Sequence, residues 1–168
     1  MNIREMKAEE METVRDLRLK SYNGYQQYVS KEHWEVLKST LISDNDLRTN
    51  AKIYVAELDN QIVGSVVLFP PSIQAYEWSD SVQEFPEIRM LAVDPSIQGK
   101  GIGKKLVMQC IKVSKEEKYT KIGLHTASFM EKALSLYTKM GFQSFPELDL
   151  EPMNDGIIVK AFNLNLER

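Results

Sequence analysis

Residues 89–104, RMLAVDPSIQGKGIGK, constrain this chain more than any other stretch. An apolar run breaks at Asp94-Pro95, passes Gly99, Gly101 and Gly103 at alternate positions, and enters a segment with helical spacing. A strand that delivers a glycine-rich turn to a helix N-terminus makes an anion site. The first N–H groups of the helix lack intrahelical partners, and the macrodipole favours negative charge there. Glycine lets the main chain come close to a ligand, so the expected guest is a phosphate or pyrophosphate.

The spacing narrows which one. A P-loop needs Gly, four residues, then Gly-Lys-Ser/Thr. Gly99-Lys100-Gly101-Ile102-Gly103-Lys104-Lys105 has neither that interval nor the hydroxyl that would hold Mg²⁺. A dinucleotide fingerprint needs G-x-G-x-x-G after the first strand of a βαβ unit, with an acid roughly 20 residues on. Here the glycines alternate, the turn lies past mid-chain, and a lysine-rich helix end takes the acid's place. A nucleotide-binding enzyme of either class is disfavoured.

Charge is distributed to suit an anion at the turn. Seven lysines fall between residues 98 and 121, against Glu116 and Glu117, whereas residues 53–88 and 143–159 hold no Lys or Arg at all. The net charge of −3 argues against a nucleic-acid partner. One cysteine, Cys110, allows no intrachain disulfide, and two distant histidines with one cysteine make no metal cluster. No apolar run approaches the roughly 18 residues of a membrane span, and the N-terminus lacks a signal-peptide core, so a cytoplasmic location is expected.

The 168 residues read as one domain, 1–168, with 43% hydrophobic and 27% charged residues. A strand is expected over residues 2–5, a helix over 8–21, and a second helix over 31–42 with Ser30 as N-cap. Residues 43–50 read as loop. Strands over 52–58 and 61–69 flank the turn signal Asp59-Asn60. An acidic segment with Tyr76 and Trp78 follows over 72–84, then a strand over 86–93 and the glycine turn. A helix to about residue 118 has Ile102, Leu106, Cys110 and Val113 on its apolar face. A strand over 121–126, a helix over 130–140 closed by Gly141, and strands over 142–148 and 157–166 complete the order βααβββαβαββ. That order implies an α/β (α+β) domain, a mixed sheet flanked by helices.

Gln98-Gly99-Lys100-Gly101-Ile102-Gly103 resembles the Q/R-x-x-G-x-G/A signature of the GNAT N-acetyltransferase superfamily. The preceding Glu87-Ile88-Arg89-Met90-Leu91-Ala92-Val93 is similar to the family strand that carries a catalytic glutamate and cofactor-binding backbone. Leu134-Ser135-Leu136-Tyr137-Thr138-Lys139-Met140-Gly141-Phe142 resembles its later ALxLYxxxGF segment. The resemblance is specific over residues 86–142 and implies a mostly antiparallel sheet with splayed middle strands. It implies acetyl-CoA or another acyl-CoA as co-substrate. The pyrophosphate would sit on the N–H groups of Gln98, Gly99, Lys100, Gly101, Ile102 and Gly103, with Lys100 or Lys104 meeting a phosphate. The pantetheine arm would run along Leu91, Ala92 and Val93.

The resemblance also implies roles for two side chains. Tyr137 matches the family's general acid, which protonates the leaving thiolate. Glu87 matches a general base that often acts through a water, and such a base needs a pKa raised by an apolar site. His125 is the rival base; His33 has no partner pattern and is assigned no role. Cys110 would permit a ping-pong route, but its apolar helix face and lack of a nearby histidine favour direct attack in a ternary complex.

The family's acceptor pocket corresponds to Tyr22, Tyr25, Tyr28, Trp34 and the acidic tract 147–155, with the 72–84 segment nearby. Aromatics with carboxylates suit an amine, a small molecule or peptide, and a cationic one in particular. The alternative to an enzyme is a catalytically silent acyl-CoA-binding sensor or regulatory module. Exposed strand edges permit a homodimer without placing an interface.

Overall fold

The computed structural model describes residues 1–71, 84–97 and 99–167. The acidic aromatic segment 72–83, with Tyr76, Trp78 and Asp80, and the expected cofactor contact Gln98 lie outside the described residues. Strands β1 (Asn2–Glu5), β2 (Lys52–Leu58), β3 (Gln61–Phe69), β4 (Glu87–Val93), β5 (Lys121–Ala127), β6 (Gln143–Ser144) and β7 (Val159–Asn165) form one sheet in the order β1-β2-β3-β4-β5-β7-β6. Only β4 and β5 run parallel; the other neighbours are antiparallel. The β2–β3 hairpin turns on Asp59 and Asn60, both with positive φ (51° and 63°), as its two-residue loop demands.

Both faces of the sheet are buried, and alternation along the strands sorts side chains between them. Val66 and Leu68 of β3 join Tyr54 and Ile88 against α4 (Ile102–Glu116) and α5 (Glu131–Lys139). Val67 and Phe69 face the other way, with Met11 and Leu41 of α1 (Met11–Tyr22) and α2 (Lys31–Ile42). Helix α4 sits unusually close to β3. A Cβ on Gly64 would stand 2.8 Å from Ile102 Cγ2 and 2.9 Å from Leu106 Cδ1. Absence of a side chain there sets the height of the helix that carries the glycine turn.

Two irregularities open the middle of the sheet. On β3 the step from Ser65 to Val67 matches the longer step from Ala92 back to Arg89 on β4, so β4 carries an extra residue. Met90 takes it up with φ 53°, a β-bulge that re-aims side chains. Ile88 packs towards α4, while Met90 joins the α1/α2 face, a reversal that unbroken alternation forbids. The β4–β5 pair is registered only at Glu87↔Gly123 and Ile88↔Leu124. Beyond Ile88 the parallel strands diverge, and the gap is the cleft described below.

Four differences from the sequence reading have an identifiable cause or consequence. The helix expected over 8–21 is a 3₁₀ turn, Ala8–Glu10, followed by α1. The loop expected over 43–50 contains α3 (Asn45–Arg48), whose Asp46 is drawn into a buried ion pair with Arg18 of α1 at 2.9 Å. The strand expected over 142–148 shrinks to β6, because Pro146 has no N–H to donate and instead opens a 3₁₀ turn, Pro146–Leu148. The last strand begins at Val159, two residues late, because the Ile157 N–H turns back to Asp155 Oδ1 at 3.1 Å.

Candidate active site

Gly99 and Gly101 both have positive φ (89° and 75°), and Gly101 is the left-handed N-cap of α4. Among the described residues nothing lies within 4 Å of a Cβ placed on either, so the turn is open on its outer side. Ile102 is buried and anchors the helix start, while Lys100 and Lys104 are exposed beside the turn. Gly103 faces Leu136, Leu91 and Val93 at 3.5, 3.7 and 3.8 Å from its notional Cβ, which joins the turn to β4 and α5. Ala92 is buried, and Leu91 and Val93 are half-buried. The Val93 N–H donates to Ser21 Oγ of α1 at 3.3 Å, a long bond across the region where the strand edge has lost its neighbour.

The divergence of β4 and β5 leaves a cleft with two connected parts. One is walled by Ser21, Tyr25, Leu91, Ala133 and Tyr137. The other, about 100 Å³, reaches past Leu37 and Phe129 to His33 and Met153. Tyr22, Arg89, Met90, His125, Thr126 and Met130 line both, so they form one continuous space. Arg89 is buried; desolvation lowers its guanidinium to about 9, and it remains cationic at neutral pH.

Tyr137 is 5% exposed and packs edge-on against Phe142, their ring centroids 5.8 Å apart. Burial pushes its phenol well above the ordinary tyrosine value, so it is protonated at neutral pH. Cys110 is fully buried in the α4 face, and burial raises its thiol too, which keeps it from being a thiolate nucleophile.

Glu87 and His125, rivals in the sequence, are partners in space. His125 Nδ1 lies 2.9 Å from Glu87 Oε1, and its Nε2 lies 3.0 Å from the Leu148 carbonyl oxygen. A carbonyl only accepts, so Nε2 carries a proton, and a further proton lies between Nδ1 and Oε1. Glu87 is fully buried and stands outside the cleft wall, whereas His125 lines it. Burial raises the carboxyl above its ordinary 4.5, opposed by the bond to His125. Glu87 Oε2 is buried without a hydrogen-bond partner among the described residues.

At the far end, Tyr25 and Tyr28 pack on Phe129 of the β5–α5 connection, with centroids 5.5 and 5.4 Å apart. This closes the α1–α2 connection against the opposite wall. Of the aromatics expected there, Tyr22 lines the deeper space, while Trp34 is buried away from it. From the acidic tract, Pro152 and Met153 line the wall and no carboxylate does among the described residues. One tract carboxylate acts indirectly: Asp155 Oδ2 holds His33 Nδ1 at 2.6 Å. Their separation of 122 positions along the chain hid this pair from the sequence reading, as the β4 bulge hid the entry of Arg89 and Met90. Phe129 gave no periodic signal and was also missed.

Residues 11–142 match the model of the Acetyltransferase (GNAT) family. The chain is 30% identical over 102 residues to N-acetyltransferase 8F1 of Rattus norvegicus, covering 61% of this chain and 44% of that protein. Against this and a second curated relative, from Escherichia coli, the chain spans about half of their length or less (44% and 50%). A GNAT-family acetyltransferase from Staphylococcus aureus Mu50 shares the fold with a TM-score of 0.70 and 21% identity, over 99% of both chains. PaiA N-acetyltransferase from Thermoplasma acidophilum, in complex with coenzyme A, shares it with a TM-score of 0.70 and 20% identity, over 95% of this chain and 96% of that one. With its family match running from α1 through the glycine turn to Phe142, the chain belongs to the acetyltransferase (GNAT) family.

Proposed function

We propose that this chain is an N-acetyltransferase that moves the acetyl group of acetyl-CoA to an amine by direct attack in a ternary complex. The observation that carries this reading is the place of Tyr137, whose ring shares the cleft wall with Leu91 beside the open glycine turn. The coenzyme A bound by the T. acidophilum neighbour supports the choice of co-substrate. Its pyrophosphate would take the N–H groups of residues 98–103, with Lys100 and Lys104 adding positive charge. The pantetheine arm would follow the main chain of Leu91 and Val93, where its polar groups would displace Ser21 Oγ from the Val93 N–H. Ala92, on the buried face, holds that strand against β3.

In the reaction, the neutral amine nitrogen attacks the thioester carbonyl carbon, the C–S bond breaks, and the thiolate sulfur takes the Tyr137 phenolic proton. A phenol kept protonated by burial is suited to that donation. Glu87 is the base, acting through a water because it is fully buried. Its raised pKa brings it nearer the proton it must take, and Oε2 is the oxygen left for the task. His125 holds Oε1 and so positions the carboxyl.

Tyr137→Phe tests the assignment. The variant keeps the ring and its packing, so acetyl-CoA affinity should stay within about twofold while kcat falls about 100-fold or more. Unchanged turnover would sink Tyr137 as the acid.

A further inference from the structure

The two histidines of the chain are fixed in different ways. Both ring nitrogens of His125 are engaged, by Glu87 and by the Leu148 carbonyl. Among the described residues His33 is engaged at Nδ1 alone, by Asp155 at 2.6 Å. Asp155 is held ionised, first by the hydrogen bond from His33 and also by the Ile157 N–H. An ionised carboxylate only accepts, so Nδ1 carries a proton towards Asp155 and Nε2 is the ring nitrogen left to exchange one.

The surroundings hold this arrangement in place. The His33 N–H donates to Ser30 Oγ at 3.0 Å, which caps α2 and fixes the backbone beneath the ring. The side chain is 10% exposed and lines the deep part of the cleft. The titratable or charged groups on the facing walls are Tyr22 of α1, Arg89 of β4 and His125 of β5. Arg89 is cationic, desolvation pushes the Tyr22 phenol up to about 12, and the nitrogens of His125 are spoken for. Among the described lining residues, His33 Nε2 is the nitrogen able to take a proton.

We propose that His33, oriented by Asp155, takes the proton that an ammonium acceptor must lose before it can attack. This rests on the acetyltransferase reading above and adds the step that reading needs. An alkylamine arrives as R–NH₃⁺. His33 Nε2 accepts one proton, leaving the nitrogen lone pair free, and later releases that proton to solvent. After attack, the nitrogen loses its second proton through the water on Glu87, one proton passes from Tyr137 to the leaving sulfur, and exchange with solvent takes the proton from Glu87 and returns one to Tyr137. The cleft then accepts an amine that is cationic in solution without a carboxylate on its described walls.

The test compares a strongly basic amine, 2-phenylethylamine, with p-anisidine, which is neutral at the assay pH. His33→Asn keeps an amide N–H close to the Nδ1 position, so the Asp155 contact can persist while Nε2 is removed. It should lower kcat/KM for 2-phenylethylamine about 100-fold and for p-anisidine by no more than about threefold. Asp155→Asn, with an amide oxygen still able to accept from Nδ1, should give a smaller loss confined to the basic amine. An equal loss for both amines in both variants would mean a structural role and overturn the proposal. So would an unchanged rate with 2-phenylethylamine, even if that is the one amine accepted. If the wild-type chain acetylates no amine, the acetyltransferase reading itself fails, and this step with it.

Discussion

Glu87 shows how one buried side chain ties stability to pH. Between the ordinary 4.5 and its raised folded value, the native chain keeps a proton that the unfolded chain has lost. The unfolded state binds fewer protons there, so the contribution of this group to stability falls as pH rises through the window. Glu87→Gln carries no such proton. Its urea midpoint should therefore gain on the wild type as pH rises from the ordinary carboxylate value through the raised folded one, and a constant difference would contradict the shift. Placement was legible in the sequence where one local pattern held it, as for Tyr137 on the cleft wall and for the buried Cys110. The Glu87–His125 and His33–Asp155 pairs were not legible, because strand pairing and a loop return brought them together.

At the scale of elements, the seat of α4 on β3 is the contact that sets the glycine turn. Gly64→Ala would place a methyl within 2.9 Å of Ile102 and Leu106 and 3.3 Å from the Ala92 carbonyl oxygen. The expected cost is about 1–3 kcal/mol from overpacking, read by urea unfolding, together with weaker acetyl-CoA binding as the helix start shifts. Full stability with unchanged affinity would show that the seat is not tight. The hairpin at Asp59-Asn60 and the Ser30 cap were legible because their signals are local. The β4 bulge was not: Met90 adopts positive φ with no residue type that favours it, and the register across β3 requires it. The strand expected over 142–148 failed for the opposite reason: the local stop signal at Pro146 was read through.

At the scale of the molecule, a sheet buried on both faces would leave no room for a ligand if its strands paired throughout. The bulge in β4 and the short β4–β5 pairing open it at the centre, and α1, α4 and α5 wall the gap. The mixed sheet and its splayed middle were legible through element order and family resemblance. The deep end of the cleft was less so: Tyr22 was anticipated there, Trp34 lies away from it, Phe129 was missed, and the described part of the tract 147–155 supplies apolar walls and one histidine anchor rather than a ring of carboxylates. Among the described residues no helix is long and apolar enough to cross a membrane. The central claim is that a thioester bound at the glycine turn reacts with an amine in this cleft. Release of free thiol from acetyl-CoA across a panel of amines, with the acetylated amine weighed by mass spectrometry, tests it most directly. Release should depend on the amine and yield one acetylated product per thiol. Binding of acetyl-CoA with no amine-dependent release from any member of the panel would contradict it and leave a silent acyl-CoA sensor.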